Sequence, residues 1–159
     1  MNYVKILGSS GSKSKNLGTT SFQISRDIII DTGNVINILG DKSSLINHIF
    51  LTHSHSDHIA DLPFLLDSFF ENRKETLMIY ASKETFNDKV WPDFSKINLI
   101  GSEKKSLAFK EIKENEETII DNYKIKAISA THIEGSFGFV ITKDEKEAYI
   151  ISGDTYINE

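Results

Sequence analysis

Cysteine is absent from the 159 residues. Its absence excludes disulfides, thiolate metal sites and a cysteine nucleophile, so a metal held here would be held by nitrogen and oxygen. Proline is scarce, at two residues, which says little about function. Positive charge is also in short supply: 18 Lys and Arg stand against 23 Asp and Glu, a net charge of −5. Proteins that grip a long polyanion present a basic surface, so this balance argues against a large nucleic-acid partner. No apolar run is long enough to span a bilayer and no signal-peptide pattern opens the chain, so the expectation is a cytoplasmic protein with no membrane partner. The remaining composition, 39% hydrophobic and 26% charged, is that of one ordinary globular domain able to bury a core.

Against that background the histidines stand out. The chain has five, and three fall in the stretch His53-Ser54-His55-Ser56-Asp57-His58. Imidazole suits zinc, and carboxylate suits zinc and harder divalent ions, so four potential ligands lie within six residues. The apolar, β-branched segment Ile46 to Thr52 before the cluster reads as a buried strand. Ile59, Leu62, Phe64, Leu65, Leu66, Phe69 and Phe70 after it trace an approximate helical face. The cluster therefore occupies a strand-to-helix turn. Side chains two apart in an extended turn point the same way, so His53 and His55 can share one ion. Asp57 is expected at the helix N-cap and His58 in the first turn, facing a second ion nearby.

Strand signals recur along the chain. Tyr3 to Leu7 alternates as a first strand, followed by the glycine- and serine-rich loop Gly8 to Gly18, which reads either as a phosphate cradle or as a plain connection. Thr20–Ile24 and Ile28–Ile30 form an expected hairpin. Asp31 at its end can orient a ligating histidine from behind or can simply form a turn. Val35 to Leu45 reads as a short helix or loop, Leu77 to Tyr80 as a strand, and Ser82 as the N-cap of a helix through Val90. Ile97 to Ile100 is another short apolar run. The charged run Lys110 to Glu117, turning at Asn115, reads as a solvated hairpin tip between strands at Leu107–Phe109 and Thr118–Ile120. Strands at 123–128, 137–142 and 148–151 complete the series, and two of them end at His132 and Asp154. Many strands with interspersed helices indicate α/β layers.

His53-x-His55-x-Asp57-His58 resembles the signature of the metallo-β-lactamase superfamily of binuclear metallohydrolases. Asp31-Thr32-Gly33 is similar to its early Asp-x-Gly element, and Gly153-Asp154-Thr155 to its Gly-Asp-Thr element. The resemblance implies a four-layer αββα sandwich with metals at one edge. It implies His53, His55 and His132 at metal one, Asp57 and His58 at metal two, Asp154 bridging both, and Asp31 supporting a ligand. Zn2+ at two sites is the expected cofactor, with Mn2+ or Fe2+ as alternatives. Two close dications lower the pKa of a shared water, giving a hydroxide nucleophile, and Asp57 and Asp154 are the carboxylates expected to take part in catalysis. The pattern departs from the family in two ways. The superfamily usually adds a later histidine to metal two, but none follows His132. The expectation is therefore one metallo-β-lactamase-like domain over 1–159 that ends before the last ligand, or a site completed by another subunit, or a second metal that is weak or absent. Asp61 also stands where the family often has glycine.

The motif Thr52 to Leu66, with Trp91-Pro92-Asp93-Phe94 beyond it, is similar to the class II 3′,5′-cyclic nucleotide phosphodiesterases. That implies hydrolysis of a small cyclic phosphodiester, compatible with a homodimer, with Ser136 either contacting phosphate or forming a turn. Two alternatives remain: a transfer-RNA 3′-end endonuclease of the same superfamily, and a non-catalytic module that binds a metal or ligand.

Overall fold

The computed structural model describes residues 4–68, 73–88 and 105–156. The expectations placed on Phe69, Phe70, 89–90, Trp91 to Phe94 and Ile97 to Ile100 lie outside the described residues. Among the described residues ten strands form two sheets. The first runs in the order β1 (Lys5–Gly8), β2 (Ser21–Gln23), β3 (Ile28–Ile30), β4 (His48–Phe50), β5 (Leu77–Ala81) and β6 (Leu107–Glu111). The β1, β2 and β3 pairings are antiparallel, and β3 through β6 are parallel. The second is an antiparallel meander of β7 (Glu117–Ile120), β8 (Tyr123–Ser129), β9 (Phe137–Lys143) and β10 (Glu147–Ile151), with β7 and β10 at its edges.

Period-two alternation builds two cores. Ile29, Ile49, Leu51, Leu77, Ile79 and Ala81 point to one face of the first sheet. Helices α1 (Val35–Leu39), α2 (Ser56–Ile59), α3 (Leu62–Ser68) and α4 (Lys83–Asn87) cover it with Val35, Ile59, Leu62, Leu65, Leu66 and Phe86. Ile28, Ile30, Phe50 and Tyr80 point to the other face, where Ile125, Phe137, Phe139 and Ile141 of the second sheet meet them. Strands β3 and β4 are apolar on successive residues because they are buried on both sides, as parallel strands require. Three of the four expected αββα layers are formed among the described residues.

Several local expectations are corrected. The charged run does not cap a hairpin: β6 belongs to the first sheet and β7 to the second, so the segment is a crossover between sheets. Asn115 does turn, at φ 65, but its amide and the Glu116 carbonyl bond to Ala127 of β8. The reading failed because a hairpin tip and a sheet-to-sheet corner carry the same charges and turn residue. The helical face after the cluster is split. The Asp61 amide donates to the Thr32 carbonyl and its carbonyl accepts from Leu65, so α3 starts anew there. Phe64 then faces solvent, 61% exposed. His55, not Asp57, occupies the N-cap of α2, and Asp57 lies inside the first turn. Ser82 caps α4 as expected, its hydroxyl accepting from the Thr85 amide at 3.1 Å.

Candidate metal centre

The C-terminal ends of the parallel strands β3 and β4 and the β8–β9 and post-β10 turns meet at one edge of the sandwich. A Phe137 N–H to Thr52 carbonyl bond of 2.8 Å ties the two sheets together there. Gly153, at φ +63, packs against that joint. A Cβ on it would lie 2.7 Å from the Phe137 carbonyl and 3.1 Å from Thr52 Cβ, so only glycine lets Asp154 reach the centre.

Two donor groups form at this edge. Ligand atoms of His53, His55 and His132 lie within 4.8 Å of one another, and so do those of His53, His58 and Asp154. Asp154 reaches toward both: one oxygen is 3.3 Å from His58 Nε2 and the other 3.9 Å from His132 Nε2. His132 Nε2 and His55 Nδ1 are 3.0 Å apart. Asp57 Oδ2 stands 3.6 Å from His58 Nε2, beside the second group rather than within it. All six residues named from the sequence are thus brought together, with His53 shared between the two groups. His53 and His58 are fully buried, whereas His55 is exposed and Asp154 half-exposed, so the centre opens to solvent on the His55 side.

Beneath the histidines lies buried Asp31. It sits at φ 56, a left-handed conformation uncommon for a residue with a Cβ and a mark of built-in strain. That turn aims its carboxylate back under the cluster. Asp31 Oδ1 accepts from the Thr52 amide at 2.8 Å. Asp31 Oδ2 lies 2.7 Å from His58 Nδ1 and accepts from the Thr52 hydroxyl at 2.8 Å. Of the two readings open for Asp31, the structure places it behind a histidine. Thr52 was read from sequence as a strand residue and as the start of the motif, without a role of its own. The available signal was a hydroxyl immediately before the first histidine, which has no meaning until Asp31 is known to lie opposite.

The electrostatics follow from burial. Burial, with His58 and His55 alongside, lowers the His53 pKa to about 3, so its imidazole is neutral and able to donate a lone pair. Burial also pulls His58 down, but the hydrogen bond and charge of Asp31, with Asp154 and Asp57, outweigh it and leave His58 above its ordinary value. Burial pushes Asp31 upward, against the opposing pull of His58 and Thr52. Among the described residues His53 Nε2 and His58 Nε2 are buried with no hydrogen-bond partner, the Asp154 and Asp57 carboxylates near His58 Nε2 facing it as charges without hydrogen-bond geometry. An orphaned buried nitrogen is costly, and two aimed into one group of imidazoles and carboxylates fit a divalent cation.

Other sequence expectations resolve more simply. Ser9 and Ser10 amides both donate to the Gly18 carbonyl at 3.1 Å, so they are used within the loop rather than offered to a phosphate. The loop does border the centre, since a Cβ on Gly11 would lie 3.8 Å from Asp57 Oδ2. Ser136 forms a turn: it is buried, and its hydroxyl accepts from the Ile133 amide. Asp61 accepts from the Ile36 amide in the first turn of α1 at 2.9 Å and from Lys13 Nζ at 3.3 Å.

The layered sandwich with a His/Asp centre at one edge defines a metallo-β-lactamase-fold protein. The chain aligns with the metallo-β-lactamase-fold protein YhfI from Bacillus subtilis at TM-score 0.74 and 19% identity, covering 98% of this chain and 63% of that one. It aligns with the short form of human tRNase Z at TM-score 0.71 and 21% identity, covering 95% and 68%. Unliganded yeast PDE1 aligns at TM-score 0.67 and 16% identity, covering 98% and 66%. A family model described as anti-Pycsar protein Apyc1 matches residues 6–159, and the chain belongs to that family. Among curated relatives, a ribonuclease Z of Methanococcus maripaludis is 54% identical over 41 residues, 25% of this chain and 13% of the relative. One from Haloarcula marismortui is 26% identical over 158 residues, covering 91% and 48%. The chain thus spans less than half the length of each of these two relatives.

Proposed function

We propose that the protein is a divalent-metal-dependent hydrolase of cyclic nucleotides, with His53, His55 and His132 holding one ion, Asp57 and His58 a second, and Asp154 between them. The observation that carries this reading is the pair of donor groups sharing His53 and spanned by the two Asp154 oxygens. Zinc is the first choice for such a nitrogen-rich set. When bound, the ions supply Lewis-acid activation of water and neutralise charge on a phosphoryl group. The chain's own residues supply the rest. Asp31 holds a proton at His58 Nδ1, so that His58 presents Nε2. The buried wall formed by His53 and His58 excludes water behind the centre, and the exposed His55 side admits substrate.

Membership of the anti-Pycsar family supports cyclic nucleotides as the substrate class, and the net charge of −5 favours a small anion over a long RNA. The similarity to class II phosphodiesterases seen in the motif points the same way. A second reading, transfer-RNA 3′-end endonuclease, draws on the ribonuclease Z relatives. Elemental analysis of the purified chain, with hydrolysis of cyclic AMP and of a precursor transfer RNA measured on the same sample, tests both. Bound metal with turnover of the cyclic nucleotide alone is the expected result. Cleavage of the RNA alone would favour the second reading, and metal-free, inactive protein would sink both.

A further inference from the structure

We infer that Thr52 is a positioning residue that sets the tautomer of His53, through a relay running from His53 Nδ1 to the Thr52 hydroxyl and on to Asp31. The inference rests on the reading of His53 as a metal ligand. A threonine hydroxyl has one proton to give and two lone pairs with which to accept. Thr52 Oγ1 lies 2.8 Å from Asp31 Oδ2, 3.0 Å from His53 Nδ1 and 3.0 Å from His58 Nδ1. An Asp31 carboxylate cannot donate, so the hydroxyl proton goes to it. The hydroxyl oxygen can then only accept from His53, which places the His53 proton on Nδ1. His53 Nε2 is left with its lone pair directed into both donor groups, and among the described residues that buried nitrogen has no hydrogen-bond partner. His58 Nδ1 has the closer acceptor in Asp31, at 2.7 Å. Asp31 thereby orients His58 directly and His53 through Thr52.

The hydroxyl is held in place on every side. The Thr52 amide donates to Asp31 Oδ1 at 2.8 Å, and its carbonyl accepts from Phe137. A Cβ on Gly153 would stand 3.2 Å from the Thr52 methyl, so that methyl faces the Gly153 turn while the hydroxyl faces Asp31. A β-branched side chain so placed has little freedom at χ1. Groups behind a ligating histidine that fix its tautomer are commonly worth 10–100-fold in metal affinity.

The test uses the full chain with 15N-labelled histidine, metal-free and at mildly alkaline pH. Two-bond 1H–15N correlations report which ring nitrogen carries the proton. The parent is expected to show His53 protonated at Nδ1, and T52S, which keeps the hydroxyl, to show the same. T52V is nearly isosteric but lacks the relay. In T52V the His53 proton is expected to shift toward Nε2, and zinc affinity measured against a competing chelator is expected to fall about 10–100-fold. A parent His53 protonated at Nε2 overturns the inference without recourse to any variant. So does a folded T52V with the parent's tautomer and zinc affinity. If the tautomers behave as expected but no variant, nor the parent, takes up zinc, the relay stands and the metal reading fails.

Discussion

At His48, burial and chemistry pull in opposite directions, and the outcome can be read in solution. Its imidazole lies 3.1 Å from the Tyr80 hydroxyl, within the sheet and away from the metal centre. Burial lowers its pKa below the ordinary histidine value, only partly offset by Asp27 and Asp121. The folded state thus binds fewer protons here than the unfolded one. The contribution of His48 is fully present above the unfolded pKa and is lost as pH falls through the lowered folded value. His48→Gln is expected to flatten the loss of Tm on acidification, read by thermal melts across that window, and an unchanged slope would refute the assignment. The carboxylate proposed to lie between the two ions makes a second prediction. Asp154→Ala removes a carboxylate that reaches toward both histidine sets. Metal content should fall by about one equivalent or more, with turnover lost. His55→Ala should do the same for the first group, and unchanged metal and activity in both variants would sink the ligand assignment.

Single elements place these residues through their ends. Helix α4 runs only from Lys83 to Asn87 and starts at Ser82, whose hydroxyl receives the Thr85 amide. Ser82→Ala removes that cap and should cost about 1 kcal/mol by denaturant unfolding. Little change in the midpoint would mean that the cap is dispensable. The end of α4 touches the centre indirectly: Ser54, between His53 and His55, donates to Asp88 at 2.5 Å. The strand ends matter more. Asp31 leaves β3 in a left-handed turn, and Gly153 leaves β10 the same way. Both are short chemical signals, yet each sets where a carboxylate points.

For the whole molecule, stability and site share one structure, because the sheets that form the core also carry the His/Asp cluster. Phe139 is fully buried between the sheets and meets Phe50 edge-on, with ring centroids 5.6 Å apart. Phe139→Ala should lower unfolding free energy by about 3–5 kcal/mol. Because β9 hangs from Thr52 through Phe137, the same variant should also weaken metal uptake. A destabilised variant with unchanged metal affinity would show that the edge is independent of the core. Among the described residues no helix is long and apolar enough to cross a membrane.

The six residues brought together at the centre were legible from the sequence, because ligand chemistry depends on side-chain type and a motif concentrates it within a few positions. The alternation that buries β3, β4 and β5 on both faces was legible for the same local reason. What the tertiary structure alone decided were the pairings between distant strands. It put β6 and β7 in different sheets, although their connecting segment reads as a hairpin. It shared His53 between two donor groups and placed Asp57 beside them. It also brought Asp31 beneath Thr52, 21 residues away in sequence. A hydroxyl carries no information about its proton until its neighbours are known, and those neighbours are set by the packing of the sheet.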